Sequence, residues 1–177
     1  GDIQALQGTR IMELEKEKKA ALAHSRGNFD HFMTLSPSTE SELSWWVDNI
    51  SLVDNDIYLT EPELTLTSDA SHIGWGCTCN GTQSGGQWLP VESSFHINYL
   101  ELKSAFLALQ SFREQVHGRH VRMLIDNTTA VACINHMGTS HSDTCNEMTA
   151  AIWQWCVDHN VWLSAHFIPG KLNTAAD

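Results

Sequence analysis

The chain has 177 residues, is 42% hydrophobic and carries seven Trp, enough to bury one core plus a smaller appendage and too apolar for a disordered chain. Its net charge of −11 counts against autonomous, electrostatically driven binding of nucleic acid; the deficit is even, with five Lys/Arg against ten Asp/Glu in residues 1–60 and five against eleven in 61–177. No run of about 18 apolar residues exists, so no membrane span is expected, and the polar residues 1–20 do not look like a signal peptide.

Residues 1–60 read as two helices and a linker. Ile11 to Ala23 is rich in helix formers, with Glu13, Glu17, Lys16 and Lys19 as a solvated face, and Gly27-Asn28 breaks it. A second helix is predicted from Ser36-Pro37-Ser38, with Leu43, Trp46, Val47 and Ile50 at one-face spacing. From Leu64 the pattern changes to short strands: Leu64–Ser68, Gly74–Cys79, a turn at Asn80-Gly81, then Gly86–Leu89. A helix opened by Asn98 as N-cap buries Leu102, Ala105, Phe106 and Leu109. Strand Val121–Ile125 and a short helix through Val131 and Ile134 follow. A longer helix capped by Ser142 or Asp143 turns Met148, Ala151, Ile152, Trp155 and Cys156 inward, and Val161–Ile168 is the last strand. Three strands joined by short connections imply an antiparallel meander, and the strands reached through helices are expected to add in parallel.

Five Cys without paired CxxC motifs give no zinc framework and read as free thiols of a reducing compartment. Cys77 and Cys79 are read as lying on opposite faces of their strand.

The chemistry rests on acids. Asp69 and Asp126 end strand-like runs, Glu101 lies one turn into a helix, and Asp177 closes the segment His166 to Asp177. Strand ends of an open α/β sheet are where ligands gather, whereas an unpaired buried carboxylate is costly. Four convergent acids would repel one another unless a divalent cation neutralised them, and hard oxygen donors suit Mg²⁺ or Mn²⁺. Each acid also has a plainer reading: Asp126 as a helix cap, Asp69 as a turn residue, Glu101 as a first-turn glutamate favoured by the helix dipole.

Thr67-Ser68-Asp69-Ala70-Ser71 with Gly74-Trp75-Gly76, Ile97-Asn98-Tyr99-Leu100-Glu101-Leu102, Ile125-Asp126-Asn127, and the Pro169-Gly170, Asn173 and Ala176-Asp177 tail resemble, in order, the motifs of ribonuclease H domains. Asp126 to Val131, Ile134-Asn135, Gly138 and Trp153-Gln154-Trp155 look most like those of DIRS-type retrotransposon reverse transcriptases. The resemblance covers residues 64–177. It implies an α/β, ribonuclease H-like fold: a five-stranded mixed sheet, an antiparallel three-strand meander plus parallel strands, flanked by helices and carrying an N-terminal helical extension. Residues 1–60 are then a connection-like segment and linker, and 61–177 a nuclease domain truncated at its last helix.

The resemblance further implies a pair of Mg²⁺ or Mn²⁺ ions on Asp69, Glu101, Asp126 and Asp177, and hydrolysis of the RNA strand of RNA–DNA hybrids. Ser71, Asn98 and Asn127 would touch substrate. His166 matches the family's mobile histidine that assists proton transfer or product release, and reads equally as a satisfied strand-end histidine. The partners implied are the hybrid and the polymerase domain of a parent polyprotein, in the cytoplasm or nucleus and without a membrane. Two other readings stand beside this one: an inactive scaffold or docking module on the same fold, and a related transposase or exonuclease acting on DNA.

Overall fold

The computed structural model describes residues 12–49, 61–170 and 173. Five strands form one mixed sheet: β1 (Leu64–Ala70), β2 (Gly74–Cys79), β3 (Thr82–Gln87), β4 (His120–Ile125) and β5 (Trp162–Phe167), in the order β3-β2-β1-β4-β5. The first three are an antiparallel meander, and β4 and β5 add in parallel. Asn80 (φ 49°) and Gly81 (φ 81°) make the two-residue turn from β2 to β3, both in the left-handed region that a tight hairpin of this hand needs. That turn sets the register Cys79↔Thr82 and starts β3 at once, not at Gly86. The strand Thr-Gln-Ser-Gly-Gly-Gln has no apolar side chain, which hid it from a search for apolar runs. Gly85 is required there, because a Cβ would stand 2.7 Å from the Trp75 carbonyl oxygen.

The crossovers run through α3 (Ile97–Ser111), α4 (Arg113–Val116), α5 (Thr128–Asn135) and α6 (Asp143–Asp158). One face of the sheet carries Leu64, Leu66, Cys77, Cys79, Val121, Met123, Ile125, Leu163 and Ala165, all buried, against Leu102, Ala105 and Leu109 of α3 and Ile152, Trp153 and Cys156 of α6. Each fully buried leucine among them is worth about 2 kcal/mol. Cys77 and Cys79 share this face, because strand residues two apart point the same way; the expectation of opposite faces is corrected. All five Cys are buried free thiols. On α6 the expected Ala151 is exposed, and Thr149 and Trp153 fill the core instead; the Trp153 Nε1–H donates to the Ile134 carbonyl at 3.0 Å.

Two more helices precede the sheet, α1 (Met12–His24) and α2 (Pro37–Asn49). The first ends where Arg26 and Gly27 turn left-handed, and the Thr39 N–H donates to Ser36 Oγ at the start of the second. Val47, expected inward, is 76% exposed, and Ile50 lies outside the described residues. Lys16 joins α1 to the start of α6 through an ion pair with Asp143 at 2.7 Å. No helix among the described residues is long and apolar enough to cross a membrane.

Candidate metal centre

Parallel pairing sets Ser68 opposite Ile125, so the next residue on each strand, Asp69 and Asp126, meet at the carboxyl end of the sheet. From the helix over them comes Glu101, only 3% exposed. One carboxylate oxygen from each of Asp69, Glu101 and Asp126 lies within 4.8 Å of the other two. Residues 69, 101 and 126 are far apart in the chain; β1–β4 pairing and α3 packing bring them together.

The plainer readings of these acids do not survive the geometry. Asn127, not Asp126, caps α5, its Oδ1 accepting from the Ala130 N–H at 2.9 Å. Asp69 lies within β1, and the turn after it is organised by Ser71, whose Oγ accepts from the Ile73 N–H at 3.1 Å and the Gly74 N–H at 3.3 Å. Burial, followed by the charges of Asp126 and Asp69, pushes the Glu101 carboxyl up to about 8. Its Oε2 is buried without a hydrogen-bond partner. Clustered oxygen donors with a buried, unpartnered carboxylate oxygen fit a hard divalent cation, which would neutralise the mutual repulsion.

Main-chain contacts hold the corner in place. Ser104, one turn beyond Glu101 on the same helix face, donates its hydroxyl to the Asp69 carbonyl at 2.7 Å and so locks α3 onto β1. Asn173, read from sequence only as a cap, is 2% exposed and donates Nδ2 to the Ser68 carbonyl at 3.0 Å, while its Oδ1 has no partner. Gly170 closes over the site: a Cβ there would stand 2.7 Å from Asp126 Oδ2. Sequence reading missed Ser104 and Gly170, although the i, i+3 spacing from Glu101 and the Pro-Gly turn were available as signals.

The other candidates are placed as follows. His96, not Asn98, is the N-cap of α3, its Nδ1 accepting from the Asn98 N–H at 3.2 Å. The Asn98 side chain accepts through Oδ1 from Asn127 Nδ2 at 2.9 Å. Asn127 therefore spends its amide on the cap and on Asn98, which leaves the Asn98 Nδ2 free to face a ligand. Ser71 is exposed, and its carbonyl accepts from Trp88 Nε1–H at 2.8 Å. His166 is exposed on β5, in register with Leu124, and contributes no atom to the acidic cluster. Asp177 lies outside the described residues.

The arrangement is matched among solved structures by RNase H1 of the halophilic archaeon Halobacterium salinarum NRC-1, at 13% identity and a TM-score of 0.54, over 64% of this chain and 91% of that one. LC11-RNase H1, solved in complex with an RNA/DNA hybrid, matches at 16% identity and a TM-score of 0.56, over 65% and 91%. No family model and no curated protein matches the sequence. At these identities the likeness is one of fold: the chain has a ribonuclease H-like fold.

Proposed function

We propose that the chain is a ribonuclease H-type phosphodiester hydrolase that cuts the RNA strand of RNA–DNA hybrids, within a retrotransposon reverse transcriptase most like those of DIRS-type elements. The observation that carries this reading is the convergence of Asp69, Glu101 and Asp126 on one point. A pair of Mg²⁺ or Mn²⁺ ions would be held by these three, with Asp177 as a fourth ligand. Bound there, the metal supplies Lewis-acid charge at the phosphoryl oxygens and an acidified water for in-line attack.

The chain's own residues do the rest. Glu101, carrying its proton near neutrality when alone, gives it up to become a ligand. Ser104 and Asn173, bonded to the carbonyls flanking Asp69, fix the strand that presents this acid. Asn98, braced by Asn127, offers its Nδ2 to the sugar edge, where a 2′-hydroxyl distinguishes RNA from DNA. Ser71 adds an exposed hydroxyl at the rim. His166, exposed at the end of β5, accepts or delivers a proton as the product leaves. A polymerase domain of the same polyprotein is the natural partner, and five unpaired thiols fit a cytoplasmic or nuclear setting.

The experiment is hydrolysis of a labelled RNA–DNA hybrid with Mg²⁺ or Mn²⁺, against duplex DNA. Asp69→Asn and Asp126→Asn each lower the rate by about a thousandfold or more. Cleavage persisting in both variants overturns the reading, and preference for duplex DNA redirects it to a DNA nuclease. The charge of −11 favours one other reading, an inactive docking module on the same fold; a wild-type chain that binds the hybrid with Mg²⁺ present and never cuts it would establish that instead.

A further inference from the structure

A cavity of about 710 Å³ opens beside the acidic cluster, between the start of α3, the length of α5 and the loop that leads into α6. Resting on the nuclease reading, we propose that this groove holds a stretch of nucleic-acid backbone away from the scissile phosphate, and that its grip comes from histidine instead of Lys or Arg, so that hybrid binding tightens on acidification.

The lining carries the inference. His96, His136 and His141 face the cavity together with hydroxyls such as those of Thr128, Thr129 and Thr144, and no Lys, Arg, Asp or Glu lines it. Hydroxyls and imidazole N–H groups are donors to phosphate and sugar oxygens, but none is a permanent cation. Protonated imidazole is therefore the only positive charge this wall can raise. Asn98 belongs both to the lining and to the Asn98–Asn127 pair next to Asp126, so the groove runs continuously from the acids. The mixed donors do not suit an apolar ligand. A soft-metal site is excluded too, since no three His or Cys groups among the described residues converge at ligating distance.

The imidazoles differ in what they have left to give. His96 Nδ1 is occupied as the cap of α3, so only Nε2 faces outward. The rings of His136 and His141 are exposed and make no hydrogen bond among the described residues, which leaves both nitrogens for a ligand. The neighbouring charges are accounted for. Asp143, the acid nearest the groove on α6, is paired with Lys16 of α1 at 2.7 Å, and Lys16 also holds Glu13. Lys19 donates to Ser140 in the loop behind His141. The Cys133 thiol on the floor is pushed up to about 11 by burial and stays neutral, and Cys145 beside it is buried. Asp69, Glu101 and Asp126 lie beyond Asn98 and Asn127.

The test is fluorescence anisotropy of a labelled RNA–DNA hybrid with the whole chain in EDTA, from about pH 8 to about pH 5.5. Wild type binds about tenfold tighter at the acid end. The double variant His136→Gln, His141→Gln loses most of that gain, whereas His24→Gln, His117→Gln, two histidines outside the groove, keeps it. The variant His136→Lys, His141→Lys binds tightly at both ends of the range, which guards against a Gln variant that merely misfolds. A pH-independent wild type, or an acid gain retained by His136→Gln, His141→Gln, overturns the proposal. Cleavage is scored separately: persistence in Asp126→Asn sinks the nuclease reading, while loss of the groove's pH response with metal-dependent cleavage intact sinks this inference alone.

Discussion

At the amino ends of β4 and β5 the buried polar groups pair with one another, whereas at the carboxyl ends of β1 and β4 they do not. At the amino end the Glu63 N–H donates to the His120 carbonyl at 2.9 Å, the buried His120 Nε2 meets Ser164 Oγ at 3.0 Å, and the Gly118 N–H donates to the His159 carbonyl at 3.1 Å. At the carboxyl end Glu101 Oε2, Ser68 Oγ and Asn173 Oδ1 are buried without partners, beside three carboxylates. Each such group costs about 1–3 kcal/mol. One end of the sheet is thus optimised for stability, and the other gives up stability in a form that a ligand can recover.

The sharpest way to break this contrast is at Gly170. Gly170→Ala puts a methyl against Asp126 Oδ2, the far end of a side chain that can swing away. Hybrid cleavage is expected to fall about a hundredfold while the melting temperature hardly moves, because misplacement of a reacting group is felt far more in rate than in fold. Equal losses in both, followed by initial rates and thermal melts, would place Gly170 among the structural residues.

Next in size is the pH response of the metal-free chain. The Glu101 carboxyl titrates near 8 when folded against about 4.5 otherwise, so the stability it lends is complete below about pH 4.5 and is lost as pH climbs through about 8. A loss on the order of a few kcal/mol is expected across that window in EDTA, reduced by Mg²⁺. Glu101→Gln flattens the profile and is more stable than wild type at about pH 8. A stability curve that rises through this window, measured by denaturant titration at each pH, would contradict the placement of Glu101.

The smallest effect tests the other end. His120→Ala removes a buried partner of Ser164 and costs about 1–2 kcal/mol in unfolding free energy, with the rate of hybrid cleavage unchanged. A cleavage defect larger than the stability loss would show that the two ends of the sheet are coupled.

Much of this architecture was legible in the residues. Alternation in Leu64–Ser68 and Val121–Ile125, helical spacing in Leu102, Ala105 and Leu109, and the Asn80-Gly81 turn are local signals, and local signals determine elements. The misreadings arose where the local signal was weak or shared. β3 has no apolar side chain to announce it, His96 took a cap that Asn98 could have filled, and Ala151 and Trp153 differ by little in a helical wheel until a partner surface selects one.

By itself, then, the sequence determined which segments are strands and helices and which acids stand at strand ends, because both depend on residues close together in the chain. Only the tertiary structure decided that Asp69, Glu101 and Asp126 share one point, that Ser104, Gly170 and Asn173 brace it, and that three histidines line one wall beside it. Those meetings are made by parallel pairing of β1 with β4 and by the packing of α3, interactions between residues tens of positions apart that carry no periodic signature along the chain.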